Sequence, residues 1–109
     1  MVIPPEKFLT DSLRHSSMGA DICQVLAEAI NHADPAAAIK HNLIRKANQL
    51  LFGDQILDLD LFERVFVLGA GKAVVPMVSA LSHILKTNIT SGVIITKDGY
   101  LYPSMIPAE

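Results

Sequence analysis

Arg64-Val65-Phe66-Val67-Leu68-Gly69-Ala70-Gly71-Lys72-Ala73-Val74-Val75 decides the fold of this 109-residue chain. The β-branched, apolar run over 65–68 predicts a strand, apolar on nearly every residue as in sheets covered on both faces. It stops at a Gly-Ala-Gly-Lys turn and passes directly into a helical pattern over 72–85. There Val74, Met77, Val78, Leu81, Ile84 and Leu85 share one face. Such a turn delivers main-chain N–H groups and a helix N-terminus to one point, which favours a bound anion. Lys72 adds a mobile positive charge there. Pro76 forbids one backbone hydrogen bond and predicts a loosened or bent helix start.

Downstream, Gly92-Val93-Ile94-Ile95-Thr96 reads as a second strand, and Lys97-Asp98-Gly99 turns the chain out of it. Strand–helix–strand order implies a right-handed parallel crossover, hence an α/β class with a partial, Rossmann-like three-layer architecture. Upstream, Ile22, Val25, Leu26, Ala29, Ile30 and Ala33 recur at helical spacing and predict an inward-facing stripe. Asp34-Pro35 is a stop followed by a helix start. A second helix is expected over 35–51, with Ile39, Leu43, Ala47, Leu50 and Leu51 inward and Gly53 ending it. Residues 54–63 read as a connector. Residues 1–17 read as a tail with at most one helical turn, and 18–109 as one incomplete domain. Two parallel strands make an unfinished sheet, so the architecture reads as truncated; a compact α/β miniature is the alternative.

Composition narrows the function classes. Half the residues are hydrophobic and the formal net charge is −2, which disfavours a nucleic-acid binder held by phosphate contacts. Cys23 is the only cysteine, so no disulfide closes within the chain. His15, His32, His41 and His83 lack ligand spacing, and no metal site is expected. No apolar run approaches membrane-spanning length, and no membrane partner is expected. Cytoplasm is the default expectation, with a mitochondrial address still open.

The Gly-Lys turn admits several readings. A P-loop needs Gly-x4-Gly-Lys-Ser/Thr, but Phe66 and Ala73 occupy the positions of the first glycine and the hydroxyl residue. A dinucleotide fingerprint needs a third glycine where Val74 stands, and an acid where the second strand ends in Thr96-Lys97. Lys97 could favour the 2′-phosphate of a nicotinamide cofactor; the remaining reading is a substrate or nucleotide phosphate site at the carboxyl ends of parallel strands, reached by Gly69, Gly71, Lys72 and Lys97. The plain alternative is a solvated lysine and glycines that serve only the bend. Asp58 and Asp60 read as a solvated connector, Cys23 as a core residue, and His83 as a surface residue.

Four segments in order resemble the N-terminal part of the type II glycerate kinases, the MOFRL-associated domain. They are Asp34-Pro35-Ala36-Ala37-Ala38, the strand and turn through Gly69-Ala70-Gly71-Lys72-Ala73, then Val74-Val75-Pro76-Met77, and Gly92 through Thr96-Lys97-Asp98-Gly99. The resemblance spans about residues 20–99. It implies transfer of the ATP γ-phosphoryl group to the 2-hydroxyl of glycerate, giving 2-phosphoglycerate, with Mg²⁺. Lys72 matches the family's functional lysine, and Lys97 its Thr-Lys segment, although Asp98 stands where an aromatic residue is more usual. The implied partners are glycerate and a nucleotide; the metal ligands and second domain are absent from this stretch, so the isolated chain is expected to be inactive. Two alternatives stay open. One is a phosphosugar isomerase-type (SIS-like) domain, against which Ala73 speaks. The other is a non-catalytic product that self-associates through its open sheet edge.

Overall fold

In a computed structural model, residues 2–101 are described; the stretch after Leu101, read as lacking a third strand, lies outside them. The chain divides into two compact units at Asp34/Pro35.

The first unit holds a 3-10 helix (Pro5–Phe8), helix α1 (Asp11–Arg14) and helix α2 (Gly19–His32). The Thr10 hydroxyl caps α1 by accepting from the Leu13 N–H at 3.3 Å. The segment read as a tail is tied down. Ile3 N–H donates to Asn31 Oδ1 at 2.8 Å, and Asn31 Nδ2 donates back to the Ile3 carbonyl at 3.0 Å. The buried ridge of α2 is Gly19, Cys23 and Ala27, which corrects the expected stripe: Ile22, Val25, Leu26 and Ile30 are exposed. Small side chains win because the elements approach closely; a Cβ on Gly19 would fall on the Leu13 carbonyl. Cys23 is a core residue, as its pattern suggested.

The second unit opens with α3 (Pro35–Asn42). The helix expected to run to 51 ends there, and three strands follow: β1 (Leu43–Lys46), β2 (Gln49–Phe52) and β3 (Gln55–Asp58), an antiparallel meander. The expected connector over 54–63 thus contains a strand, followed by a 3-10 turn at Leu59–Leu61. Both hairpins have two-residue loops with positive φ at the first central residue only, 52° at Ala47 and 56° at Gly53. That is the sign pattern of a type II′ turn, which matches strand twist and pulls the segment out of a helix.

Strand β4 (Val65–Ala70), helix α4 (Val74–Leu85) and strand β5 (Ile89–Ile95) complete the fold, with β4 and β5 parallel. The α/β class read from the sequence is present. Leu50, Leu59 and Leu85 form the core, packed by Leu43, Val65, Leu81, Ile84 and Ile89. Burying each leucine contributes about 1.5–3 kcal/mol. Arg45 of β1 closes the far end of α4, its Nη1 donating to the Ile84 carbonyl at 3.1 Å and the Leu85 carbonyl at 2.8 Å. A cation on the last carbonyls satisfies orphan acceptors and complements the helix dipole.

Two expectations about this unit are corrected. Pro76 does not loosen α4: the helix starts at Val74, so Pro76 is its third residue, where no intrahelical donor is lost. The bond from Met77 N–H to the Ala73 carbonyl closes the first turn at 3.3 Å. Nor are the parallel strands covered on both faces. Val67 is buried, while Phe66, Leu68, Val93 and Ile95 on the opposite face are 58%, 79%, 61% and 68% exposed. No helix among the described residues is long and apolar enough to cross a membrane.

Candidate functional site

The register fixes where the two lysine-bearing turns leave the sheet. Ala70 pairs with Ile95 as the last rung of the parallel ladder, and Gly71 N–H donates to the Ile95 carbonyl at 2.9 Å. Lys72 and Lys97 each follow that rung by two residues. Both therefore emerge at one carboxyl-terminal edge, as the sequence suggested.

Each glycine of the turn has its own physical reason. A Cβ on Gly69 would fall on Val74 Cγ2, so its absence lets β4 lie against the start of α4. Gly71 has open space around it but φ of +119°, a conformation that side-chain-bearing residues rarely adopt. Together they bend the chain so that α4 begins beside the strand end. Ala73 is the N-cap residue and supplies no side-chain cap. Among the described residues, the N–H groups of Lys72, Ala73 and Val75 have no main-chain partner, and Val74 N–H reaches only the Gly71 carbonyl at 3.4 Å. Pro76 removes one donor from the set, so the helix N-terminus offers fewer N–H groups than a proline-free one.

Both lysines are exposed, and among the described residues neither side chain makes a hydrogen bond or ion pair. Lys97 opens a tight turn, its carbonyl accepting from Tyr100 N–H at 3.1 Å, with Gly99 at φ +82° as the third residue. Between the lysine and the last rung sits Thr96, whose half-buried side chain carries a buried Oγ1 with no hydrogen-bond partner. Sequence reasoning passed over Thr96 as a site residue. Its only signal was a hydroxyl closing an apolar strand run.

Chemically, the edge presents ammonium groups, main-chain N–H groups and a hydroxyl. That set suits anionic oxygens; Asp98, exposed beside Lys97, is the one carboxylate in these two turns, and a single carboxylate does not make a Mg²⁺ or Zn²⁺ site. No group of three His, Cys, Asp or Glu residues able to hold a metal occurs among the described residues. Asp58 and Asp60 serve structure instead. Asp58 Oδ1 accepts from Asp60 N–H at 3.0 Å, and Asp60 Oδ2 accepts from Asn48 Nδ2 at 2.8 Å. Two hollows lie away from this edge. One of about 460 Å³ in the first unit is lined in part by Leu9, Leu13, Arg14 and Cys23. The other, of about 240 Å³, lies between α3 and α4.

Comparison with known proteins gives three results. Residues 21–107 match the family model described as Domain of unknown function (DUF4147). The crystal structure of the PH0495 protein from Pyrococcus horikoshii OT3 is similar, with a TM-score of 0.62 and 28% sequence identity. The match covers 72% of this chain and 17% of that one, so the chain spans about a sixth of the PH0495 protein. No curated protein matches the sequence.

Proposed function

The chain belongs to the DUF4147 family, and we propose on that footing that it is the part of a glycerate 2-kinase that binds negative oxygens at the carboxyl edge of its sheet. The domain is associated with the N-terminal domains of glycerate kinases, which supports the resemblance carried by the Gly-Lys turn. The observation that bears the proposal is the shared rung: one ladder end brings Lys72, Lys97 and the uncapped start of α4 to the same edge.

In the proposed reaction the 2-hydroxyl oxygen of glycerate bonds to the γ-phosphorus of ATP while the bond to ADP breaks and the hydroxyl proton is released, giving 2-phosphoglycerate, ADP and H⁺. Catalysis of such a transfer is mostly positioning and charge stabilisation. Lys72 would hold the charge on the transferring phosphoryl oxygens or on the glycerate carboxylate. Gly69 and Gly71 allow the main chain to approach, and the N–H groups of Ala73 and Val75 add fixed donors that need no reorganisation. Lys97 and the Thr96 hydroxyl would bind a second anionic or hydroxyl group on the same ligand. With Asp98 as their one carboxylate, the residues of this edge do not fit Mg²⁺. The unpaired edges of the β4–β5 pair among the described residues also support self-association.

Steady-state kinetics test this reading in a longer protein carrying the domain. Lys72→Ala is expected to lower kcat about 10²–10³-fold, as loss of one oxyanion-stabilising donor does, with an unchanged circular dichroism spectrum. The isolated 109-residue chain should show no glycerate-dependent ATP turnover. A near-normal rate for Lys72→Ala removes Lys72 from the mechanism.

A further inference from the structure

We propose that the groove between α3 and α4 is a second anion site, binding a dianionic phosphate group through Lys40, Ser79 and His83. The two helices pack side by side, and the groove of about 240 Å³ between them is lined by Ala36, Lys40, Pro76, Ser79, Ala80 and His83. Alanines and the proline form a low wall that leaves room for an ion. The polar groups are a lysine ammonium, a hydroxyl and an imidazole, and no carboxylate lines the groove. A cavity with that sign of charge concentrates anions.

Two hydrogen bonds sharpen the assignment. His83 Nδ1 lies 2.7 Å from the Ser79 carbonyl. A carbonyl only accepts, so Nδ1 carries a hydrogen, and Nε2 is the ring atom left for a ligand. Protonation at Nε2 then creates a donor. Ser82, on the same helix, spends its hydroxyl on the Val78 carbonyl at 2.9 Å. Ser79 makes no such back-bond among the described residues, so its hydroxyl stays available. Lys40 is the titratable group that α3 contributes, and His83 is the one from α4. The other elements packed on α4, namely β1, β4, β5 and the 3-10 turn Lys86–Asn88 with its Lys86, contribute no residue to the groove.

The test follows the His83 ring proton by NMR through a pH titration of the 109-residue chain, with and without inorganic phosphate. A bound dianion favours the imidazolium form, so the His83 midpoint should move up by about 0.5–1 pH unit. His15, His32 and His41 serve as internal controls and should move less. Lys40→Ala and Ser79→Ala should each weaken the phosphate response about threefold to tenfold, and Lys40→Arg should restore it. Methyl phosphate separates the sources: a response equal to that of inorganic phosphate assigns the site to the phosphoryl group of a larger ligand. A response to inorganic phosphate alone assigns it to the free ion, and both uphold the anion site. A His83 midpoint that moves no more than the controls, or a shift indifferent to Lys40→Ala, overturns it. Lys40, Ser79 and His83 are not among the residues assigned to the Lys72 edge, so this result and the kinetic test above fail independently.

Discussion

Gly69→Ala should destabilise the chain through one identifiable collision. The added Cβ lands on Val74 Cγ2, the first residue of α4, which is itself 6% exposed and has little room to move. Overpacking of this kind costs about 1–3 kcal/mol. Val74→Ala alone removes the offending methyl and one other; at about 0.8 kcal/mol per buried carbon it should cost about 1–2 kcal/mol. If the collision is the cause, the double variant is about as stable as Val74→Ala by itself. A double-mutant cycle would then give a coupling equal to the whole cost of Gly69→Ala, about 1–3 kcal/mol, outside the ~0.5 kcal/mol scatter of independent sites. Gly71→Ala is the control: no atom lies within 4 Å of its Cβ position. Its cost should be backbone strain of about 1–3 kcal/mol, untouched by Val74→Ala. Urea unfolding followed by circular dichroism reads the wild type, the three single variants and the two double variants, with a constant m-value as the sign that the unfolded state is unchanged. Additive losses for Gly69→Ala and Val74→Ala would refute the close packing of β4 on the helix start, and with it the geometry assigned to the turn.

Three further outcomes are expected. Ala47→Gly should stabilise by about 1 kcal/mol in the same urea assay, because φ of 52° strains an alanine and not a glycine. Arg45→Ala should destabilise by about 1.5–3 kcal/mol by stripping the last carbonyls of α4 of a charged donor; amide exchange should rise first in the last turn of that helix. Sedimentation over a range of concentrations should show association of the wild-type chain that Leu68→Lys reduces, since Leu68 stands 79% exposed on the open face of β4.

The parts of the fold that were legible in the sequence are those where one local signal dominates. The apolar run ending in two glycines could hardly be anything but a strand entering a turn, and β4, α4 and β5 follow it in order. The stretch over 43–58 was misread because Leu43, Ala47, Leu50 and Leu51 satisfy helical spacing by coincidence. Leu43 and Arg45 partly buried between exposed Ile44 and Lys46 mark the strand period instead, and Gly53-Asp54 is a hairpin signal. The stripe on α2 misled for another reason. Periodicity locates a face, but close approach at Gly19 selects the ridge of small residues for burial. At the candidate site, the two lysines were visible because charge after a strand is local information. Thr96 was not, because the absence of a partner for its hydroxyl is a property of three-dimensional surroundings.

The central claim is that the bend after β4 offers Lys72 and uncapped main-chain N–H groups to a ligand's anionic oxygens. Amide NMR of the 109-residue chain during titration with ATP tests it most directly. The account predicts saturable shifts centred on Gly71, Lys72, Ala73 and Val75, extending to Thr96 and Lys97, and much diminished in Lys72→Ala. Amides at that edge that stay still while ATP perturbs another surface, or nothing at all, would contradict it.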